Sequence, residues 1–182
     1  MAWTAPFTAV SGNVFTASQW NQYARDNLRV SEAAVAMTAG GLICTTGANA
    51  LIQRTPTVLM VPFYDATATA TYVDLPNGAG PAFSVVHGTA CLISVGCGLY
   101  NSIAGLGSRM TFDLSGSNTL AATDDNSFYA ESGTAGDTFH GTWTGVRMGM
   151  TAGTTTFTAK YRTTAGGGTS TFAHRVIAVV PF

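Results

Sequence analysis

Thr154-Thr-Thr-Phe-Thr-Ala-Lys-Tyr-Arg162 is the stretch on which the fold turns. Extended, it puts Phe157, Ala159 and Tyr161 on one side and Thr156, Thr158, Lys160 and Arg162 on the other. A period of two marks a half-buried antiparallel strand, with one face on a core and one in water. The same alternation recurs upstream, where Met110, Phe112 and Leu114 oppose Arg109, Thr111 and Asp113. Downstream, Val176-Ile-Ala-Val-Val-Pro-Phe182 is apolar on both faces, so its second face needs a cover of its own. A subunit interface would supply one.

Working outward, strands are predicted near residues 58–65, 67–75, 90–100, 109–114, 127–131, 139–150, 154–163 and 170–180. Turn-rich runs separate them: Pro76-Asn-Gly-Ala-Gly-Pro81, Ser115-Gly-Ser-Asn118, Thr123-Asp-Asp-Asn126, Ser132-Gly-Thr-Ala-Gly136 and Gly166-Gly-Gly168. About eight strands without intervening helices predict an antiparallel jelly-roll-type β-sandwich over residues 57–182. The N-terminal part reads differently. Thr16-Ala-Ser-Gln19 has the form of a capping box and opens a helical stretch to about Met37, with Gly40-Gly41 as its stop. Trp20, Tyr23, Asn27, Val30, Ala34 and Met37 form a heptad seam, while Trp20, Ala24, Leu28, Ser31 and Val35 form a stripe suited to docking. The organisation is therefore mainly β: an N-terminal arm and α-helix (1–41), a connector (42–56) and a β head (57–182).

Composition narrows the function. The 182 residues are 46% hydrophobic but only 9% charged, far below the roughly 25% of ordinary soluble domains. A folded chain with so little charge is expected to bury surface against other subunits. The net charge is −1, and the scattered arginines and single lysine, Lys160, form no basic stripe; nucleic acid is not an expected partner. No apolar run approaches the ~20 residues of a membrane span. The opening Met1-Ala-Trp-Thr-Ala-Pro6 lacks the basic and apolar regions of a secretory signal, so synthesis in a cytosol is expected. Cys44, Cys91 and Cys97 are odd in number and contain no CxxC pair. On one strand Cys91 and Cys97 would lie about 20 Å apart, well beyond disulfide reach, so buried free thiols are expected.

The N-terminal third carries a resemblance. Trp3, Gly12, Thr16-Ala-Ser-Gln-Trp-Asn21, Tyr23, Arg25-Asp-Asn-Leu28, then Gly40-Gly-Leu-Ile43, Thr46-Gly-Ala-Asn-Ala-Leu51 and Arg54 resemble the opening of small virion proteins of actinobacterial tailed phages, of the minor tail, head-fibre or decoration type. Gly41 stands where that connector often has Asp. The stretches 154–162, 166–169 and 172–182 resemble phage knobs of the trimeric jelly-roll kind, akin in architecture to complement and tumour-necrosis-factor heads. The resemblance implies an anchoring segment, with Trp3, Trp20, Asn21, Tyr23, Arg25, Asp26, Asn27 and Leu28 as anchor residues. It also implies a homotrimeric head, with Phe172, His174, Val176, Ala178, Val180 and Phe182 at the subunit interface.

Catalytic chemistry is not expected. The chain contains no G-x-S-x-G, H-E-x-x-H, Walker-type or G-x-G-x-x-G motif. His87, His140 and His174 are far apart in sequence, none at metal-ligand spacing. Asp124-Asp125-Asn126 supplies too few oxygens for Ca²⁺ and reads as a solvated turn. Asp113, Asp124 and Glu131 show no spacing that favours a glycosidase pair and read as surface groups. No cofactor or metal is expected. The function expected is that of a bacteriophage virion structural protein, a homotrimer held to capsid or tail by its N-terminus and displaying its head on the virion surface. With no long shaft in the sequence, capsid decoration or a head fibre is favoured. The alternative is a fibre-tip protein that binds a host-surface carbohydrate, for which Tyr100, Phe128, Tyr129 and Trp143 are the aromatic candidates although scattered aromatics usually belong to a core. A cell-wall depolymerase is the remote third reading.

Overall fold

Thr16 and Gln19 form the capping box that their spacing predicts. The Gln19 backbone N–H donates to Thr16 Oγ1 at 3.2 Å, and the Thr16 N–H donates to Gln19 Oε1 at 2.9 Å. They open helix α1 (Ala17–Trp20). A computed structural model describes residues 14, 16–21, 39–47, 50–78, 80–164 and 167–182. The predicted continuation of the helix toward Met37, with the choice between seam and docking stripe, lies outside the described residues. So do Trp3, Tyr23, Arg25, Asp26, Asn27 and Leu28. The chain divides into two compact units, Met1–Thr55 and Pro56–Phe182. In the first, residues 42–54 build an antiparallel hairpin of β1 (Leu42–Gly47) and β2 (Ala50–Arg54), with Leu42 opposite Arg54 and Thr45 opposite Leu51.

The second unit is an antiparallel jelly-roll sandwich. Its strands are β3 (Thr57–Val61), β4 (Asp65–Thr67), β5 (Ala82–His87), β6 (Ala90–Asn101), β7 (Gly107–Gly116), β8 (Phe128–Glu131), β9 (Phe139–Met148), β10 (Gly153–Thr163) and β11 (Ser170–Pro181). One sheet runs β5-β10-β7-β8; the other runs β3-β11-β6-β9, with β4 also paired to β11. Most connections after β4 cross from one sheet to the other, which is the jelly-roll pattern. The predicted alternation holds. Met110, Phe112 and Leu114 of β7 and Phe157, Ala159 and Tyr161 of β10 face inward, none more than 4% exposed. They meet Cys91, Ile93, Val95, Cys97 and Leu99 of β6 and Phe172, Ile177 and Val179 of β11. Phe157 lies between Phe83 and Phe112, at ring-centroid distances of 6.3 and 6.4 Å. Each such large apolar side chain contributes roughly 1.5–3 kcal/mol by leaving water.

Three departures have physical causes. The strand predicted at 58–65 is two strands, β3 and β4, separated at Pro62, whose missing N–H ends the ladder. Residues 68–75 are irregular and join the sheet through the Val73–Tyr161 bridge and the Thr163 N–H, which donates to the Thr69 carbonyl. Strand β5 was not predicted: Phe83, Val85 and His87 do alternate inward, but an outward Val86 and an inward histidine blur the pattern. His87 is satisfied where it lies, with Nε2 at 2.8 Å from Thr155 Oγ1 and Nδ1 at 2.7 Å from the Gly88 carbonyl. At one end of the sandwich the buried Asn101 amide donates to Thr163 Oγ1 (3.0 Å) and Ser170 Oγ (3.1 Å), tying β6 to β10 and β11.

Candidate functional site

The outer face of the β3-β11-β6-β9 sheet is where the head departs from an ordinary water-facing surface. Strand register places residues in rows across it: Val58, Ala178, Ser94 and Thr144; Met60, Val176, Gly96 and Thr142; Val180, Leu92 and Val146; Ala90 and Met148. No Asp, Glu, Lys or Arg occurs in these rows. Val58 (66%), Met60 (57%), Val146 (59%) and Met148 (72%) are the most exposed, and the only polar pair, Ser94 and Thr144, is hydrogen-bonded to itself. With ~4.8 Å between strands and ~6.8 Å between rows, the 13 positions of these rows span roughly 420 Å². That matches the largest apolar patch of a typical monomer, ~300–600 Å², a size that is often functional.

A bulge shapes one end of that face. Between Ala173 and Val176, β11 carries one more residue than β6 opposite it, which resets the inward–outward alternation. His174 sits there at φ 49°, the only non-glycine among the described residues with positive φ, a left-handed conformation that costs about 1 kcal/mol or more. The bulge turns His174 outward and Arg175 inward, where Arg175 is 2% exposed and stacks over the Tyr161 ring at 5.7 Å. His174 then lies 6.3 Å from the His140 ring and 6.5 Å from Tyr64. With Gly96, Gly98, Thr142 and Val176 the two histidines line a shallow depression of about 350 Å³. Gly98 is required beneath His140, because a Cβ there would stand 2.5 Å from the imidazole. The histidines are 34 residues apart in sequence, and only the register of β9 and β11 on β6 reveals the pair.

The predicted interface residues therefore divide. His174, Val176, Ala178 and Val180 look outward, and Phe182 is 44% exposed. Phe172 is a correction: it lies before the bulge and points into the core, 0% exposed and 4.9 Å from the Tyr161 ring. Of the anchor residues, Trp20 is 59% exposed and Asn21 half-buried. The aromatic candidates are mostly structural: Trp143 packs on Phe112 at 5.9 Å, Phe128 packs on the core, and the Arg109 guanidinium covers the Tyr129 ring at 4.3 Å. Cys91 and Cys97 are buried and Cys44 is half-exposed. No cluster of three or more metal-ligating side chains occurs among the described residues.

Asp124 carries more than its sequence position reveals. It is exposed in the short turn Asp124–Asn126, as expected of a solvated turn residue, and is also the hub of an ion-pair network. Arg162 Nη2 donates to its Oδ2 at 2.6 Å, Arg109 Nε lies 3.5 Å away, and the Tyr72 hydroxyl donates to its Oδ1 at 2.8 Å. The Arg162 hydrogen bond holds the Asp124 carboxyl below its ordinary range. Burial, reinforced by Asp124, pushes the Tyr72 phenol up, so it remains a donor.

No protein-family model and no curated protein matches the chain. Similar solved structures include the VP2 subviral particle of infectious bursal disease virus, at 17% identity and TM-score 0.48, covering 69% of this chain and 32% of that one. T=1 particles derived from the same virus match at 15% identity and TM-score 0.47, over 76% and 35% of the two chains. Eiger TNF from S. frugiperda matches at 11% identity and TM-score 0.42, over 70% and 91%. The chain spans about a third of the length of the viral chains it resembles. At these scores the likeness transfers no activity, and the jelly-roll assignment stands on strand order and register.

Proposed function

We propose that this chain is a non-enzymatic structural protein of a bacteriophage virion, a homotrimer whose heads meet through the outer face of the β3-β11-β6-β9 sheet. The uncharged apolar face carries the reading. Its occupant is other copies of the same chain: a face with no charges has nothing to match against a charged partner, and small and β-branched residues pack readily on their like. Identical subunits joined through such a face favour a closed ring, which ends growth after a few copies. The N-terminal segment then serves as the anchor, with exposed Trp20 as one of its apolar contacts. The head works by covering and stabilising the particle, as a capsid decoration or head fibre, and no bond is made or broken.

Antibodies raised against the head and applied to intact phage particles test this placement. Regular labelling over the capsid is expected. Labelling confined to the tail tip would transfer the protein to the tail, and unlabelled particles that nevertheless contain the chain would refute surface display. Removal of residues 1–41 is expected to leave a folded head that no longer joins particles.

A further inference from the structure

The opposite sheet carries a feature unrelated to assembly. Along β10 and β7, residues 70–72 form one wall of a trough and Ala121 and Ala122 the other, with Asp113, Lys160 and Arg162 in the floor. The walls are irregular chain pinned by backbone hydrogen bonds. Val73 exchanges both of its bonds with Tyr161 at 3.0 Å, Thr163 N–H donates to the Thr69 carbonyl at 3.0 Å, and Leu120 pairs with Leu114. Tyr72 from one wall donates to Asp124 Oδ1 at 2.8 Å. The trough is open to solvent along its length and holds about 530 Å³, within the range of small-molecule sites.

Charges in and around the trough cancel. Lys160 Nζ lies 2.8 Å from Asp74 and 3.3 Å from Asp113, while Asp124 is shared by Arg162 and Arg109. Three cations thus face three carboxylates. Burial alone would lower the Lys160 ammonium, but the two aspartates outweigh it and hold the group above its usual range, so it stays charged. Such pairs hold donors and acceptors in fixed directions without creating a net field. Two of the three Lys160 N–H donors are committed to carboxylates, and Asp113 is paired through Oδ2 alone. Between these polar groups lie the methyls of Ala70, Ala121 and Ala122 and the Tyr72 side chain.

We infer that this trough binds a neutral saccharide. A sugar ring presents hydroxyls that both donate and accept at its edge and C–H groups on its faces, which matches a floor of mixed donors and acceptors between apolar walls. An anionic ligand would meet Asp113 with Asp74 and Asp124 behind it; a cationic one would meet Lys160 and Arg162. A purely apolar ligand would leave the polar floor unsatisfied. The site lies within one head and on the sheet turned away from the assembly face, so it stands whether or not the trimer forms.

The test is binding of the full-length chain to immobilised neutral, uronic-acid-containing and amino-sugar-containing oligosaccharides. Retention of members of the neutral set is expected. Ala121→Trp, which fills the trough from an exposed wall position, should weaken that binding at least about tenfold. Asp113→Asn, which keeps the shape but upsets the charge balance, should weaken it as well; it decides the matter should the tryptophan variant melt early. Failure to bind any neutral saccharide, preference for the charged sets, or undiminished binding by the folded variants would each overturn the inference.

Discussion

Val146→Asp is the sharpest perturbation of the apolar face. Val146 is 59% exposed on β9 and lies in a row with Leu92 and Val180. Full burial of a valine is worth ~1.5–3 kcal/mol, so covering what remains exposed contributes about 1–2 kcal/mol per subunit. An aspartate at the same place loses that gain and leaves an unpaired charge in the contact, a cost of ~3–5 kcal/mol. Together these come to about 4–7 kcal/mol, equivalent to roughly 10³–10⁵-fold weaker association. Within one head the change is mild, up to ~1 kcal/mol for a poor strand former at an edge. Sedimentation velocity over a concentration series reads the association, and circular dichroism confirms that the head is folded. Val146→Thr, nearly isosteric, should fall between parent and Val146→Asp. An aspartate variant that assembles as the parent does would show that this face is not the contact.

Other expectations concern the head itself. Phe157→Ala removes a ring that is 0% exposed between Phe83 and Phe112 and should cost ~3–5 kcal/mol in urea unfolding. Because Arg162 holds the folded-state carboxyl of Asp124 below its unfolded value, its contribution is complete above the unfolded carboxylate range and is lost as pH falls through the folded value; Asp124→Asn should therefore flatten the acid limb of a melting-temperature profile. Burial pushes the Cys97 thiol far up, so a thiol reagent should modify half-exposed Cys44 in the native protein but reach Cys91 and Cys97 only after unfolding.

The sandwich was legible where burial is one-sided. β7 and β10 alternate because one face is apolar and meets the core while the other is polar, with Asp113 and Lys160 half-buried and Thr111 fully buried under the loops that cover it. β11 reads as apolar on both faces, and its Ile177 and Val179 do lie in the core while Val176, Ala178 and Val180 look outward. The sequence does not reveal the bulge at His174 and Arg175, since one inserted residue changes no composition yet reverses every side chain beyond it. Phe172 was therefore assigned to the wrong side. The trough was illegible for another reason: Asp74, Asp113, Asp124, Lys160 and Arg162 come from four separate segments and acquire meaning only when β7 and β10 pair and two loops fold alongside them. His140 and His174 are likewise joined only through their shared neighbour β6.

Sedimentation equilibrium of the intact chain tests the central claim most directly. The apolar sheet face predicts a trimer, three times the 18.8 kDa of one chain, dissociating on dilution to a folded head. A monomer of 18.8 kDa that stays monodisperse at high concentration would mean the face needs no copy of itself, and would contradict the account.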